Sequence, residues 1–125
     1  MSATVAEIRL GDDPGAWARA GFLVEHDTVV VASVRIVLAA TGGPSWSLCR
    51  STGETTGPAE IDGLATHWLA PSTFDAPLHP NGCSALDHVV VATPDVERTA
   101  GAFDSLGMRV RARRDASGPD GPIDR

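Results

Sequence analysis

The 125-residue chain lacks several features that would assign it to a class at once. No apolar run approaches the roughly 20 residues that are needed to cross a bilayer. The N-terminus has neither the basic start nor the long apolar stretch of a signal peptide. We therefore expect a cytoplasmic protein with no membrane partner. The sequence also contains no Gly-rich phosphate loop, no G-x-S-x-G elbow and no H-E-x-x-H pair, so these kinds of catalytic site are not indicated.

Positive charge and cysteine are also scarce. All ten basic residues are arginine, and sixteen acidic residues give a formal net charge of -6. A chain of this charge repels polyanions, so we expect no nucleic-acid partner. The only two cysteines, Cys49 and Cys83, are far apart and form no C-x-x-C motif. Reduced thiols in a cytosolic protein are therefore favoured over a disulfide or a catalytic nucleophile.

The composition that is present is that of a globular domain, with 42% hydrophobic and 21% charged residues. Residues 5–10 predict a strand, and Asp12 or Asp13 followed by Pro14 is typical of a helix start. The helix is expected over residues 14–20, with Trp17 as its core anchor, and Gly21 is expected to end it.

Several short strands are expected next, because Val- and Ile-rich stretches alternate with turn residues. Residues 22–38 predict two or three strand pieces. Residues 46–50 predict another strand, with Trp46, Leu48 and Arg50 on one face and Ser47 and Cys49 on the other. Residues 51–62 are polar and predict a loop, and residues 64–69 predict a short extended piece.

A second unit follows a Pro-rich stretch, residues 70–84, which we interpret as a linker. Residues 86–93 predict a strand rich in valine, residues 95–106 predict an amphipathic helix, and Gly107 is expected to end that helix. Residues 108–114 predict a further strand. The Gly- and Pro-containing residues 116–125 are expected to be disordered.

The two units resemble each other. AEIRLGDDPGAWARAGFLV and DHVVVATPDVERTAGAFDSLGMRV both predict a strand, a break with Asp and Pro, a helix, a glycine and a strand. This pairing aligns Glu7 with His88, and Gly21-Phe22 with Gly107-Met108. An internal repeat of this kind predicts two related folding units.

The stretch LDHVVVATPDVERTAGAFDSLGMRVRARRD resembles the opening of a glyoxalase-like module of the vicinal oxygen chelate superfamily. DDPGAWARAGFLV and SVRIVLA resemble a shorter, diverged copy. The resemblance implies an α+β fold of tandem βαβββ-type modules, as in glyoxalases and bleomycin-resistance proteins. The first module would span residues 1–69. After the linker, residues 85–115 would form a second module that is incomplete, because its remaining strands are missing.

The resemblance further implies that the chain binds a small organic ligand in a sheet-lined cleft. Some family members hold a divalent metal there (Zn, Fe, Ni or Mn) and carry out lyase, isomerase or dioxygenase chemistry. The family places a metal ligand at the position of His88, which is therefore our candidate metal ligand. Glu7 is its repeat-related partner, and His67 is a more distant candidate. The strand at residues 46–50 lacks the carboxylate expected of it, so we assign no catalytic residue and leave enzymatic activity open.

Two alternatives stay open. Arg109, Arg111 and Arg113 alternate along one predicted strand and could bind a carboxylate or phosphate, although a solvated edge strand is the favoured interpretation. The second alternative is a non-catalytic, truncated module that serves as a binding or dimerising piece. Because an incomplete second sheet leaves an unpaired strand edge, we expect a homodimer.

Overall fold

A computed structural model of the protein describes residues 3–71, 76–87 and 89–108, and the backbone of two short segments, 115–118 and 121–124. The elements in chain order are β1 (Ala3–Arg9), α1 (Pro14–Arg19), β2 (Thr28–Val31), β3 (Val34–Val37), β4 (Ser45–Arg50), β5 (Glu60–Ile61), β6 (Leu64–Trp68), α2 (Val96–Asp104), β7 (Asp115–Gly118) and β8 (Gly121–Asp124). Neither of the described helices is long and apolar enough to cross a membrane.

Six strands form one mixed sheet in the order β2-β3-β1-β4-β6-β5. The central strand β1 pairs in parallel with β3 and antiparallel with β4. Parallel pairing joins β4 to β6, and β5 is the antiparallel edge strand beyond β6. The α+β class that the sequence predicts is confirmed at this level, and residues 3–50 follow the order strand, helix and three strands.

The two faces of the sheet differ in character. Ile8 pairs with Ile36 on β3 and with Trp46 on β4, so these three side chains share one face. This face carries two apolar clusters, to which α1 contributes Trp17 and α2 contributes Phe103. Both helices therefore pack on the same face, which we call the helix-covered face. The opposite face, called the polar face below, has neither helix packed on it.

The strand β1 changes phase at Ala6. Its pairing with β4 shifts between Val5 and Glu7, which makes Ala6 the extra residue of a β-bulge. In a regular strand, Val5 and Glu7 would share a face because side chains alternate with a period of two. With the bulge, Val5 packs against the apolar clusters, whereas Glu7 lies on the polar face beside Ser47.

The two helices begin in the same way. The Asp13 carboxylate accepts a hydrogen bond from the Gly15 N–H at 3.0 Å, and the Asp95 carboxylate accepts one from the Arg98 N–H at 3.1 Å. Each bond satisfies a backbone donor that the first turn of a helix leaves without a partner. The helix start predicted at Asp12 or Asp13 before Pro14 is confirmed, and the capping residue is Asp13.

The two helices also end in the same way. Gly21 and Gly107 both have positive φ angles, 96° and 74°. In each unit the residue after the glycine donates its N–H to a carbonyl five positions earlier, from Phe22 to Trp17 and from Met108 to Phe103. This is the Schellman motif, in which glycine takes the left-handed position. Both glycine stops that the sequence predicts are present.

The turn between β5 and β6 holds α2 against the sheet. Asp62 and Gly63 have φ angles of 49° and 87°, the left-handed values of a two-residue hairpin turn. The Asp62 carboxylate accepts hydrogen bonds from the Arg98 Nε, at 2.7 Å, and from the Thr99 hydroxyl. The hydroxyl groups of Thr99 and Thr93 are 2.7 Å apart, so the polar chain continues to the residues that precede the helix.

The prediction of a strand over residues 86–93 is wrong for the residues that the structure describes. Residues 86–87 and 89–93 form no strand, and Val89 and Val90 are 41% and 53% exposed. A strand exists only where a neighbouring strand accepts its hydrogen bonds. The edges of the sheet built by residues 3–68 are β2 and β5, and the described residues 86–87 and 89–93 form a ladder with neither. The valine pattern alone therefore does not make this segment a strand.

The predicted linker and the C-terminal residues, which flank the second unit, are ordered where the structure describes them. Asn81, in the predicted linker, binds the end of the first helix. Its backbone N–H donates to the Gly21 carbonyl at 3.1 Å, and its side-chain amide donates to the Ala20 carbonyl at 3.2 Å. Near the C-terminus, where we expected disorder, β7 and β8 pair as an antiparallel hairpin. The strand predicted over residues 108–114 falls, apart from Met108, outside the described residues.

The contact between Asp62 and α2 predicts a pH dependence of stability. The Thr99 hydroxyl, followed by the Arg98 guanidinium, lowers the pKa of Asp62 below its usual value of 3.8. Because the folded pKa is below the unfolded one, the stabilisation is fully present above about pH 4 and is lost as the pH falls through the folded pKa. We expect Asp62→Asn to be less stable than wild type at pH 7, and this difference to shrink below pH 4, in urea unfolding measured from pH 2.5 to 7.

The matched control is Asp27→Asn. Asp27 also lies in a turn at positive φ, 58°, is exposed, and its carboxylate has no hydrogen bond or ion pair with a described residue. Asparagine tolerates this backbone conformation as well as aspartate does. A difference between wild type and Asp62→Asn that does not vary with pH, or that Asp27→Asn reproduces, would contradict the assignment.

Candidate functional site

One residue from each of four neighbouring strands forms a line across the polar face. Glu7 on β1 pairs with Arg35 on β3 and with Ser47 on β4, and Ser47 pairs with His67 on β6. Paired residues project from the same face of a sheet, about 5 Å apart. We call this line of Arg35, Glu7, Ser47 and His67 the polar row. It combines a guanidinium, a carboxylate, a hydroxyl and an imidazole.

The centre of the polar row is a buried carboxylate with two arginines. Glu7 is 2% exposed. Its Oε2 atom lies 2.6 Å from the Arg35 Nε and 2.5 Å from the Arg35 Nη2, and its Oε1 atom lies 2.7 Å from the Arg9 Nη2. The contact from Arg9 is an ion pair outside hydrogen-bond geometry. A buried carboxylate requires such partners, since burying an unpaired charge costs several kcal/mol.

The arginines of this cluster reach the surface, although Glu7 does not. The side chains of Arg9 and Arg35 are 34% and 40% exposed, against 3% for the side chain of Glu7. Long arginine stems commonly cover a buried group while the charged head stays in water. The cluster therefore presents positive charge outward on the polar face.

Ser47 is an unusual polar residue within this row. It is fully buried, and its Oγ has no hydrogen-bond partner in the described part of the chain. A buried hydroxyl left without a partner costs about 1–3 kcal/mol, and such groups are rare in folded proteins. The Oε1 atom of Glu7, its cross-strand neighbour, also lacks a hydrogen-bond partner, so the row holds two adjacent buried polar atoms without one.

The polar row contains two of the residues that the sequence singled out, Glu7 and His67, but their placement does not form a metal site. Glu7 is engaged by two arginines, and Ser47 separates it from the exposed His67. Among the described residues, no group of three or more His, Cys, Asp or Glu could hold a metal ion. The described side chains thus do not fit a metal centre.

The remaining candidates of the sequence lie elsewhere. His88, the candidate metal ligand, lies outside the described residues, as do Arg109, Arg111 and Arg113. The predictions for these residues stay predictions. Cys49 and Cys83 are free, half-buried thiols.

His79 is a structural residue for which the sequence gave no signal. It is 6% exposed, its Nδ1 accepts a hydrogen bond from the Leu23 N–H at 3.0 Å, and its Nε2 lies 2.8 Å from the Val30 carbonyl. The second contact requires a proton on Nε2, so the ring is a neutral bridge between two backbone groups. An imidazole with both nitrogens used in this way positions the chain and is not a catalytic base.

A small cavity of about 170 Å³ adjoins His79. Its walls come from the edge strand β2 and from residues 76–84, and they are largely apolar, with Val30, Val31, Pro77 and Cys83 among them. A ligand site usually needs several polar groups directed inward. Here the imidazole is already bound to the backbone, so the polar row is the better candidate site.

The charge balance of the polar row predicts the effect of Glu7→Gln. Glu7→Gln removes the buried partner of two arginines whose heads are partly exposed and can be hydrated, so we expect a loss of about 1–3 kcal/mol of unfolding free energy. Urea denaturation followed by circular dichroism at pH 7 measures it. Glu54→Gln is the control because Glu54 is exposed in a loop, and its substitution should change stability by less than about 0.5 kcal/mol. Equal losses in the two variants would show that the carboxylate does not stabilise the sheet.

Comparison of the chain with protein-family models, with curated proteins and with solved structures finds no match.

Proposed function

We propose that this protein binds a small organic ligand on the polar face of its sheet, in the manner of glyoxalase-like proteins. The observation that carries the proposal is the polar row. Its guanidinium, carboxylate, hydroxyl and imidazole follow one another on a face where neither helix packs. Convergent polar groups on rigid strands are what fixes the orientation of a small ligand.

The repeat supports the glyoxalase-like part of the proposal. Residues 3–50 run in the order strand, helix and three strands, which is the element order of a βαβββ module. The two units that the sequence aligns have helices with the same aspartate start and the same glycine end. A truncated second module is consistent with a sheet whose six strands all come from residues 3–68.

His88 is the single metal ligand that we propose. The described side chains do not provide a ligand set, and we derive no chemical step through a metal. Zn, Fe, Ni or Mn bound at His88 would need further ligands beside it, which the described residues do not supply as a complete set by themselves. Activity as a lyase, isomerase or dioxygenase is not part of the proposal.

The proposal predicts where ligands bind. We would titrate ¹⁵N-labelled protein with small compounds that carry two adjacent oxygen atoms, namely glycolate, pyruvate, glycolamide, pyruvamide and catechol. At least one compound should shift the backbone amide signals of Glu7, Ser47 and His67, because these residues lie on the polar face. The amides of Trp17 and Phe103, on the helix-covered face, should move least.

Two further arms make this experiment decisive. Repeating the titration with Zn²⁺, Fe²⁺, Ni²⁺ or Mn²⁺, on wild type and on His88→Ala, measures any metal contribution through metal content and signal shifts. Stoichiometric metal that His88→Ala loses would support the metal-assisted form. Shifts confined to the cavity beside His79, or no shifts with any compound, would contradict binding on the polar face.

A second candidate function is self-association, and the exposed apolar residues favour it. Leu78 is 94% exposed, Val90 53%, and Leu23 and Val89 are each about two-fifths exposed. All four lie outside the strands of the sheet. Large apolar side chains with this much exposure lose contact with water when an interface covers them. The homodimer that the sequence predicts would cover these residues.

Light scattering after size exclusion tests this candidate. We expect a species of twice the 13.0 kDa chain mass at about 50 μM, shifted toward the monomer in the double variant Leu78→Ser, Val90→Ser. Glu54→Gln, in the exposed loop, should leave the mass unchanged. A wild-type protein that is monomeric at this concentration would contradict the proposed dimer.

A further inference from the structure

We propose that Asn81 and Gly82 form a covalent modification site, at which the asparagine amide is lost as ammonia and aspartate or isoaspartate is left, and that the contacts of residues 76–84 set its rate. This site is independent of the polar face, so the failure of either proposal leaves the other intact. The proposal is carried by a sequence pair that favours the reaction, by hydrogen bonds that restrain it, and by a product that the same contacts do not accept.

The first observation is in the sequence. Asn81 is the only residue of the 125-residue chain with a side-chain amide, because the chain contains no second asparagine and no glutamine. Gly82 follows it, and the absence of a side chain on Gly82 leaves its backbone nitrogen open to approach the Asn81 side chain. Both residues are exposed, so water reaches them. The chain thus keeps one thermolabile amide, and keeps it before the residue that favours its loss.

The reaction needs water alone as co-reactant. The backbone nitrogen of Gly82 attacks the Cγ atom of Asn81 and forms a new C–N bond, while the bond from Cγ to Nδ2 breaks. The proton of the Gly82 N–H leaves with the Nδ2 amine as ammonia, and a cyclic imide is left. Water then opens the imide at either of its two carbonyl carbons, which gives aspartate or isoaspartate. Neither an oxidant nor a reductant is required.

The second observation is that the fold restrains the groups that react. The Asn81 side chain accepts a hydrogen bond at Oδ1 from the Cys83 N–H, at 2.9 Å, and donates one from Nδ2 to the Ala20 carbonyl, at 3.2 Å. The attacking nitrogen of Gly82 donates its own N–H to the His79 carbonyl at 2.9 Å. Because the side chain has to turn toward that nitrogen, these hydrogen bonds must open before the imide forms.

Further contacts hold the same segment against the first unit. The His79 ring joins the Leu23 N–H to the Val30 carbonyl, and the Asn81 N–H donates to the Gly21 carbonyl. A Cβ atom on Gly21 would lie 2.8 Å from the Cβ of Asn81, so the segment lies directly on the end of α1. A reaction that requires local opening proceeds in proportion to the population of the open state.

The third observation concerns the product. An aspartate side chain at position 81 has no N–H to donate to the Ala20 carbonyl, and its negative charge faces that oxygen instead. The carbonyls at the end of a helix already carry partial negative charge. Isoaspartate also lengthens the backbone, which displaces the turn between His79 and Gly82. Either product therefore weakens the hold of residues 76–84 on α1.

Intact-mass measurement follows the reaction, because the amide and the acid differ in mass. Wild type would be incubated in mildly alkaline buffer, folded in one sample and unfolded by urea in the other. We expect the folded protein to react, but at least about tenfold more slowly than the unfolded chain. Asn81→Asp is the blank and should gain no mass, since the chain has no other side-chain amide.

His79→Phe tests the restraint. Phenylalanine keeps a ring against Phe22 but makes neither of the two hydrogen bonds of the imidazole. We expect the folded variant to react severalfold faster than folded wild type. The control is His26→Asp, which replaces an exposed histidine at φ 51°, a conformation that aspartate tolerates, and should react at the wild-type rate. Circular dichroism establishes that both variants are folded.

Asn81→Asp also measures the effect of the product on the fold. We expect its melting temperature to be lower than that of wild type by a few degrees, and the Leu23 N–H, which His79 binds, to exchange with solvent faster. Ser84→Asp places the same charge on an exposed residue of the same segment and should change neither quantity.

Each part of the proposal has its own contrary result. If folded wild type gains no mass while the unfolded chain converts completely, the pair is not a modification site of the native protein. Equal rates for folded and unfolded wild type would overturn the restraint by the fold, and this comparison decides the point by itself if His79→Phe does not fold. An Asn81→Asp variant as stable as wild type would overturn the effect of the product.

Discussion

The structure depends on one electrostatic constraint, a carboxylate buried in the middle of the central strand. Glu7 has lost almost all contact with water, and its charge is tolerable only because Arg9 and Arg35 meet both of its oxygens. Those partners must lie on the same face, so this face becomes polar. The apolar side chains of the same strands, together with α1 and α2, are left to the other face. Core and candidate site are therefore two results of one arrangement.

Features that depend on a few adjacent residues could be predicted from the sequence. An aspartate before the first turn and a glycine after the last one satisfy backbone groups that every helix leaves open, and they do so at both helices. The alternation of Trp46, Leu48 and Arg50 with Ser47 and Cys49 likewise needs only the pleat of a strand. The aligned glycines of the two units were informative for the same reason, since a positive φ is a local requirement that few residues meet.

Features that depend on distant partners could not be predicted. The valine-rich residues 86–93 have the composition of a strand, but a strand also needs a partner, and the described residues of this segment join neither edge of the sheet, β2 or β5. The role of His79 depends on two backbone groups about fifty residues away in sequence, and nothing near it in the chain indicates them. The candidate site is an intermediate case. Glu7 attracted attention through its alignment with His88 and His67 as a distant candidate metal ligand, whereas the placement of Ser47 and Arg9 follows only from strand register.

The bulge at Ala6 has a consequence for how this chain tolerates insertions and deletions. It divides β1 into two stretches whose side chains alternate between the faces in opposite phase. The one extra residue between the stretches therefore decides which side chains face the apolar core. An insertion or deletion of one residue here would move every side chain on one side of the bulge to the opposite face of the sheet. Ordinary substitutions of Ala6 leave this spacing intact. Among related sequences, length should therefore vary in the connecting loops and stay constant between Val5 and Glu7.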